Sequence, residues 1–229
     1  MIRVGFEQKL KRLNDEVLVL ASMVEEALAE AVKGLGSRDL EAAERLIQYD
    51  ERVNAKRFEI EEATLTLIAT QQPVARDMRT LAAILEIVTE LERIGDYAKG
   101  IAKISIMIGP GPLIKPLIDI PRMVEKDRQM LDRALDAFVR CDLELARAIP
   151  KEDDVVDALY NQVYRELLTL IMADPSRMDQ GTYLLWVAHN LERTGDRVVN
   201  ICERIVFTIT GNMKEMNNGG AEVVEQGQP

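Results

Sequence analysis

A six-residue motif occurs twice in this 229-residue chain, and its repetition decides the fold. Leu91-Glu92-Arg93-Ile94-Gly95-Asp96 returns 100 positions later as Leu191-Glu192-Arg193-Thr194-Gly195-Asp196, with five of the six residues identical. Upstream of the motif, Asp50-Glu51-Arg52-Val53-Asn54 matches Asp153-Asp154-Val155-Val156-Asp157 at an offset of 103. Two matched segments in the same order indicate that the two halves of the chain arose by duplication.

Apolar residues at alternating spacings of three and four predict long helices around these motifs. Three stripes carry this prediction: Phe6, Leu10, Leu13, Val17, Leu20 and Val24; Leu81, Ile84, Val88, Leu91, Gly95, Ala98 and Ala102; and Leu184, Ala188, Leu191, Gly195, Val198, Cys202 and Ile205. The predicted helices are 6 to about 36, about 39 to 70, 73–108, 121–140, 142–173 and 178–210. Ser37 or Asp39 can cap the second helix and Asp142 the fifth, and we expect Pro150 to kink the fifth helix or to mark its true start.

Four prolines and two glycines between positions 109 and 121 exclude a regular helix at the middle of the chain. The sequence therefore predicts an all-α fold of two tandem three-helix bundles. The predicted divisions are a first repeat at 1–109, a junction at 110–120, a second repeat at 121–211 and a disordered tail at 212–229.

Composition excludes several classes of function. The net charge of −10 argues against binding to nucleic acid or to an anionic membrane surface. No apolar run approaches the length of a membrane span, and residues 1–11 contain no apolar signal core. Cys141 and Cys202 form no CxxC motif, which fits a reducing, cytoplasmic setting, and a single histidine, His189, argues against His-rich zinc sites and Ser-His-Asp triads.

The repeated acidic residues are the candidate functional groups. Glu92 and Asp96, like Glu192 and Asp196, are separated by four positions and therefore share one helix face. Asp50 and Asp153 each interrupt an otherwise apolar stripe, where a buried carboxylate needs a neutralising partner. Clustered carboxylates are all-oxygen ligands, which suit hard cations.

We therefore predict one metal site in each half. The first would use Glu92 and Asp96 with Asp50 and Asn54, and the second Glu192 and Asp196 with Asp153 and Asp157. Asn54 in place of a second carboxylate weakens the first site. Structural interpretations stay open as well. The motif acids can form a solvated face, Arg93 and Arg193 can pair with nearby acids and leave no need for metal, and Asp50 and Asp153 can specify helix register.

Taken together, the doubled LERIGD/LERTGD motif and the acidic segments preceding it resemble the PhoU family of bacterial and archaeal phosphate-uptake regulators. Asp77-Met78-Arg79 before the first copy, and Ile101-Ala102 and Ile201-Cys202 after the two copies, agree with that family's pattern. The resemblance covers roughly residues 5 to 210. Arg177 and Gly181 depart from it in the second half.

The resemblance implies two similar three-helix bundles, frequently paired as a homodimer, in a cytoplasmic regulator without catalytic activity. It implies an adaptor between the ATP-binding subunit of the phosphate ABC transporter and a sensor histidine kinase. It also implies metal clusters, of iron, zinc, manganese or magnesium, on Glu92, Asp96, Glu192 and Asp196, with Asp153 and Asp157 the better-matched partner pair.

Two other classes compete with this expectation. A di-iron carboxylate enzyme normally requires Glu-x-x-His on two helices, whereas Trp186 stands three residues before the single histidine. A helical scaffold without metal is the second alternative. No GxxxxGK[ST] motif occurs, so the sequence does not support a phosphate-binding loop.

Overall fold

The computed structural model describes residues 2–213 and 215–216, and regular structure in these residues is helical. The fold class predicted from the sequence, two tandem three-helix bundles, is confirmed. The α-helices are α1 (Ile2–Ser37), α2 (Leu40–Gln71), α3 (Ala75–Ile108), α4 (Asp119–Arg140), α5 (Leu143–Ala148), α6 (Asp153–Ala173) and α7 (Met178–Thr210). None of these helices combines the length and apolarity that a membrane crossing requires.

The turn that follows the first helix of each bundle has the same construction in both halves. Arg38 and Cys141 adopt left-handed conformations, with φ of 65° and 53°. The next residue in each case, Asp39 or Asp142, accepts a hydrogen bond from the backbone N–H three residues later. Of the two N-cap candidates for the second helix, Asp39 is the cap, whereas Ser37 is the last residue of α1. The predicted cap at Asp142 is confirmed, and the 103-residue offset extends to this turn.

Two of the predicted helices in the second half have different boundaries in the structure, and a proline lies at each difference. The predicted fifth helix is divided into α5 and α6 by a 3₁₀ turn at Ile149–Glu152, which contains Pro150. The fourth helix begins at Asp119, two residues before the predicted start. Pro121 is tolerated there because the first-turn N–H groups have no intrahelical acceptor.

The apolar stripes predicted from the sequence form the core. Helices α1, α2 and α3 pack into one bundle, and α4, α6 and α7 into the other. The stripe residues of α3 and α7 are fully buried or nearly so, including the two motif glycines, Gly95 and Gly195. The motif acids consequently lie at the edge of each bundle's interior.

The bundles are joined chiefly through α3 and α7, which pack directly against each other. A buried carboxylate marks this contact: Glu90 of α3 accepts hydrogen bonds from Arg197 at 3.2 Å and Asn200 at 3.1 Å on α7. One turn along α3, Arg93 also donates to Glu90, at 2.7 Å. Removing the Glu90 carboxylate would therefore take the hydrogen-bond acceptor away from charged groups that lie in the contact between the two bundles.

Most of the predicted tail, 212–229, lies outside the described residues. Residues 212, 213, 215 and 216 are not helical. The Met216 backbone N–H donates a hydrogen bond to Glu203 of α7 at 2.7 Å.

Candidate metal centre

The buried aspartate of the first bundle has a cationic partner. Asp50 on α2 is 5% exposed, and its Oδ2 accepts from the Lys99 ammonium of α3 at 2.6 Å. The Asn54 amide donates to the same oxygen at 3.0 Å. The hydrogen bond to Asp50 is the largest cause of the raised pKa of Lys99. The ammonium therefore stays charged and neutralises the carboxylate.

The motif acids of the first bundle also lie beside cations. Arg57 of α2 approaches Glu92 at 3.7 Å, and Lys99 lies 3.7 Å from Asp96. Burial, followed by repulsion from Asp96, raises the pKa of Glu92. Arg93 pairs with a nearby acid, as the structural reading allowed, but that acid is Glu90 and not a motif residue.

Two aspartates meet beside the motif glycine of the second bundle. Asp153 is 2% exposed on α6, and its Oδ1 would collide with a Cβ placed on Gly195 of α7. Asp127 of α4 is 1% exposed, and its Oδ1 would lie 3.5 Å from the same Cβ. Both carboxylate oxygens of Asp127 are buried without a hydrogen-bond partner among the described residues. The missing side chain of Gly195 therefore leaves space that these carboxylates occupy.

The motif acids of the second bundle lie at the edge of this cluster. Glu192 is half-buried, and His189 Nδ1 lies 3.2 Å from its Oε2. Asp196 forms an ion pair with Arg193 at 2.8 Å, as the structural reading of the motif allowed. His189 is mainly exposed, with its ring 6.2 Å from that of Tyr160.

Burial and mutual repulsion disfavour the ionised forms of these acids. Burial, and then the negative charges of Asp153 and Glu192, raises the pKa of Asp127 well above its ordinary value. Burial and then Asp196 raise the pKa of Glu192 and also that of Asp157. Ionising all of these acids together is therefore costly, and a bound cation or bound protons would lower that cost.

The two donor sets differ in how well they fit a metal ion. The first set holds a lysine ammonium against its buried carboxylate, so it does not fit one. Beside the second lies Asp127, whose two buried carboxylate oxygens have no hydrogen-bond partner among the described residues and are of the kind that hard cations bind. Within the described part of the chain, no three Asp, Glu, His or Cys side chains already stand in a metal-binding arrangement. Binding at the second set therefore requires side-chain rotation.

Asp127 is a candidate residue that the sequence analysis did not single out. The sequence nevertheless indicates that Asp127 is buried. Val124, Asp127 and Leu131 follow the spacing of three and four, so Asp127 interrupts the apolar stripe of α4. The same interruption drew attention to Asp50 and Asp153.

The duplicated acidic motifs and the paired bundles are matched by known proteins. The family model described as "PhoU domain" matches residues 17–105 and 120–205, once in each bundle. The chain belongs to the PhoU family. Its PhoU domains each place one copy of the six-residue motif on their third helix, α3 or α7.

Curated PhoU relatives align with nearly the whole chain. The phosphate-specific transport system accessory protein PhoU homolog of Clostridium acetobutylicum is 37% identical over 219 residues, which are 95% of this chain and 100% of that protein. The phosphate-specific transport system accessory protein PhoU of Escherichia coli K12 is 34% identical over 206 residues, covering 90% and 86%.

Solved PhoU structures have the same fold. The phosphate transport system regulatory protein PhoU from Streptococcus pneumoniae superposes with a TM-score of 0.85 at 30% identity, covering 92% of this chain and 100% of that one. PhoU from Pseudomonas aeruginosa gives the same TM-score and identity, covering 90% and 100%. The similarity therefore extends through both bundles.

Proposed function

We propose that this PhoU-family chain is a non-enzymatic regulator of phosphate uptake and of the phosphate-starvation response. It acts in the cytoplasm as an adaptor between the ATP-binding subunit of a phosphate ABC transporter and a sensor histidine kinase. The observation that carries the proposal is full-length similarity to relatives named as phosphate-specific transport accessory proteins, with one PhoU domain in each bundle. In this proposal two chains pair as a homodimer.

The proposed regulator also binds metal through its carboxylates. Glu192 and Asp196, with Asp153 and Asp157 from α6, supply oxygen ligands that suit magnesium, manganese or iron. A cation there would neutralise a cluster in which burial and repulsion raise the pKa of both Glu192 and Asp157. The metal has a structural or regulatory role in this proposal, since the chain has no Glu-x-x-His pair for di-iron chemistry.

Deletion of the gene in its host tests the regulatory role. Phosphate uptake and the output of starvation genes are measured in phosphate-rich medium, where the proposed regulator keeps both low. Loss of the chain should derepress both, and a plasmid copy of the wild type should restore repression. Unchanged uptake and unchanged starvation-gene output after deletion would refute the proposal.

A scaffold without metal is the competing function, and the ion pairs of the first bundle favour it. Complementing the deletion with Glu192→Ala/Asp196→Ala separates the two, with immunoblotting to confirm equal protein levels. The matched control is Glu92→Ala/Asp96→Ala at the equivalent positions of the first bundle. The metal-binding regulator predicts that the second-bundle variant fails to repress, whereas the scaffold predicts full repression by both.

A further inference from the structure

Aromatic side chains are concentrated on the outer side of the second bundle. The chain contains one tryptophan, one histidine and five tyrosines. The tryptophan, the histidine and three of the tyrosines lie on α6 and α7, and these five residues form what we call the aromatic patch: Tyr160, Tyr164, Tyr183, Trp186 and His189. Trp186 is 49% exposed and Tyr164 is 41% exposed, so large rings face solvent there.

Contacts between rings make the aromatic patch continuous across the two helices. The rings of Tyr160 and Tyr164 lie 6.3 Å apart on α6, and the Tyr160 ring lies 6.2 Å from that of His189 on α7. Tyr183 and Trp186 form a second pair on α7, with ring centroids 5.7 Å apart. Trp186 and His189 are separated by one helical turn, so the second pair adjoins the first. The patch therefore extends from α6 across the outer side of α7.

The first bundle has no aromatic side chain at any of the equivalent positions. At the offsets of 103 and 100, the counterparts of the five patch residues are Arg57, Glu61, Ala83, Glu86 and Thr89. Arg57 and Glu61 form an ion pair at 2.9 Å where the second bundle has Tyr160 and Tyr164. Because both bundles have the same fold, that fold does not require aromatic rings at these positions. The patch is therefore specific to the second bundle and indicates a role other than packing.

The side chain of Arg57 shows how the first bundle satisfies this position. Its guanidinium lies 3.7 Å from the motif carboxylate of Glu92 and 5.3 Å from the centroid of the Phe58 ring. In the second bundle the equivalent motif carboxylate is Glu192, and the arginine is replaced by Tyr160. Glu192 therefore lies beside the aromatic patch without the arginine that its counterpart has on the neighbouring helix.

Acidic side chains border the aromatic patch. Asp157 lies one turn before Tyr160 on α6, and Glu192 lies one turn after His189 on α7, with 3.2 Å between His189 Nδ1 and Glu192 Oε2. A second copy of this chain, with its net charge of −10, or an anionic membrane would bring like charge to this surface. A protein partner with basic side chains would instead be attracted to it.

The composition of the aromatic patch is typical of a protein-binding surface. Trp, Tyr and Arg are enriched among the residues that dominate binding energy at protein interfaces. Tyrosine and tryptophan also supply a large contact area at a low cost in side-chain entropy. Of the two partners proposed above, the transporter subunit is the one that agrees with the names of the relatives.

We propose that the aromatic patch docks a segment of the transporter's ATP-binding subunit that carries an arginine among apolar side chains. The partner's guanidinium takes the place that Arg57 has in the first bundle, so it pairs with Glu192 and lies against the ring of Tyr160. Apolar side chains of the segment cover Trp186. A carboxylate has two oxygens, so Glu192 can accept from a guanidinium with one and offer the other to an ion. This inference rests on the adaptor role proposed above and assigns that role to one surface.

The single tryptophan makes occupancy of the aromatic patch directly observable. Full-length protein produced with 5-fluorotryptophan has one ¹⁹F resonance, which comes from Trp186. We expect titration with the purified, unlabelled ATP-binding subunit to shift or broaden this resonance, because the partner covers the indole ring. Raising the concentration of the chain alone, or adding phosphatidylglycerol vesicles, should leave the resonance unchanged.

Affinity for the immobilised ATP-binding subunit, measured by surface plasmon resonance, tests the individual residues. Trp186→Ala should weaken binding roughly tenfold or more, as at the centre of an interface. Phe58→Ala is the matched control, because Phe58 is an aromatic side chain 59% exposed on the first bundle, and it should change the affinity less than about twofold. Tyr160→Arg supplies within the chain the guanidinium that the partner brings, so it should also weaken binding roughly tenfold. Circular dichroism confirms that each variant is folded.

The outcomes separate this inference from the adaptor role on which it rests. Wild-type affinity in either Trp186→Ala or Tyr160→Arg would overturn the inference and leave the adaptor role intact. A ¹⁹F shift with concentration alone would assign the patch to a second copy, and a shift with vesicles alone would assign it to a membrane; each would overturn the inference. A wild type that does not bind the ATP-binding subunit would refute both the inference and the adaptor role.

Discussion

Adding one methyl group to each motif glycine tests the packing that underlies the candidate site. In Gly195→Ala the new Cβ would collide with Asp153 Oδ1, and in Gly95→Ala it would lie 3.1 Å from Val53 Cγ1. Both changes replace a glycine within a long helix by alanine, so each gains about 1 kcal/mol of helix propensity. Because this gain is the same in both variants, the difference between their free energies of unfolding reports the cost of the close contact alone.

Overpacking of a dense interior costs about 1–3 kcal/mol. The overlap at Gly195 is severe, and Asp153 is a short side chain with little freedom to move in its buried position. The 3.1 Å contact at Gly95 requires a shift of only a few tenths of an ångström. We therefore expect Gly195→Ala to be less stable than Gly95→Ala by about 1–3 kcal/mol. For a chain of this size that difference lowers the melting temperature by roughly 2–12 °C.

Thermal unfolding followed by circular dichroism, with chelator present, measures the difference. Asp153→Ala in the Gly195→Ala background removes the colliding carboxylate and should recover part of the lost stability, since contacting residues couple. Equal melting temperatures for the two glycine variants would refute the close approach of Asp153 to α7. The same conclusion would follow if Asp153→Ala gave no recovery.

Three further predictions concern charged groups elsewhere in the fold. Glu90→Ala leaves Arg197 without its carboxylate in the contact between the bundles, and urea unfolding should show a loss of about 3 kcal/mol. Lys99→Met should cost about 2 kcal/mol in the same assay, because it leaves Asp50 buried without a cation, and adding Asp50→Asn should recover most of it. Burial, followed by repulsion from Asp132, raises the pKa of Glu25 on α1 to about 7 from 4.5, so the folded protein binds an extra proton between these pH values. Stability should therefore fall as pH rises through that window, and Glu25→Gln should show a smaller fall in melting temperature between pH 5 and 8.

Each of these predictions has an outcome that contradicts it. A Glu90→Ala variant as stable to urea as the wild type would contradict the first prediction. A further loss of stability when Asp50→Asn is added to Lys99→Met would contradict the second. For Glu25 it is a melting temperature that rises with pH in the wild type, or a pH dependence that Glu25→Gln leaves unchanged.

The helical architecture was predictable because its signals are local and periodic. Apolar spacing predicted the helices, Asp39 and Asp142 predicted their caps, and Pro150 predicted the break between α5 and α6. The predicted start of α4 was two residues late, because a proline is tolerated throughout the first turn of a helix and so does not mark its first residue.

The site was predictable only in part, because its electrostatics depend on contacts between helices. The repeat identified the motif acids, and the interrupted stripes correctly placed Asp50 and Asp153 in the interior. The ion pair between Lys99 and Asp50 joins residues 49 positions apart, so neither local pattern reveals it. Asp127 carried a readable signal in the stripe of α4, whereas its distance from Gly195 required coordinates.

Elemental analysis of full-length protein purified without chelator tests the central claim most directly. The variants are Glu192→Ala/Asp196→Ala in the second bundle and Glu92→Ala/Asp96→Ala at the equivalent positions of the first. We predict about one divalent ion per chain in the wild type, its loss in the second-bundle variant and its retention in the first-bundle variant. A wild type with far less than one ion per chain, or a metal content that the second-bundle variant leaves unchanged, would contradict the account.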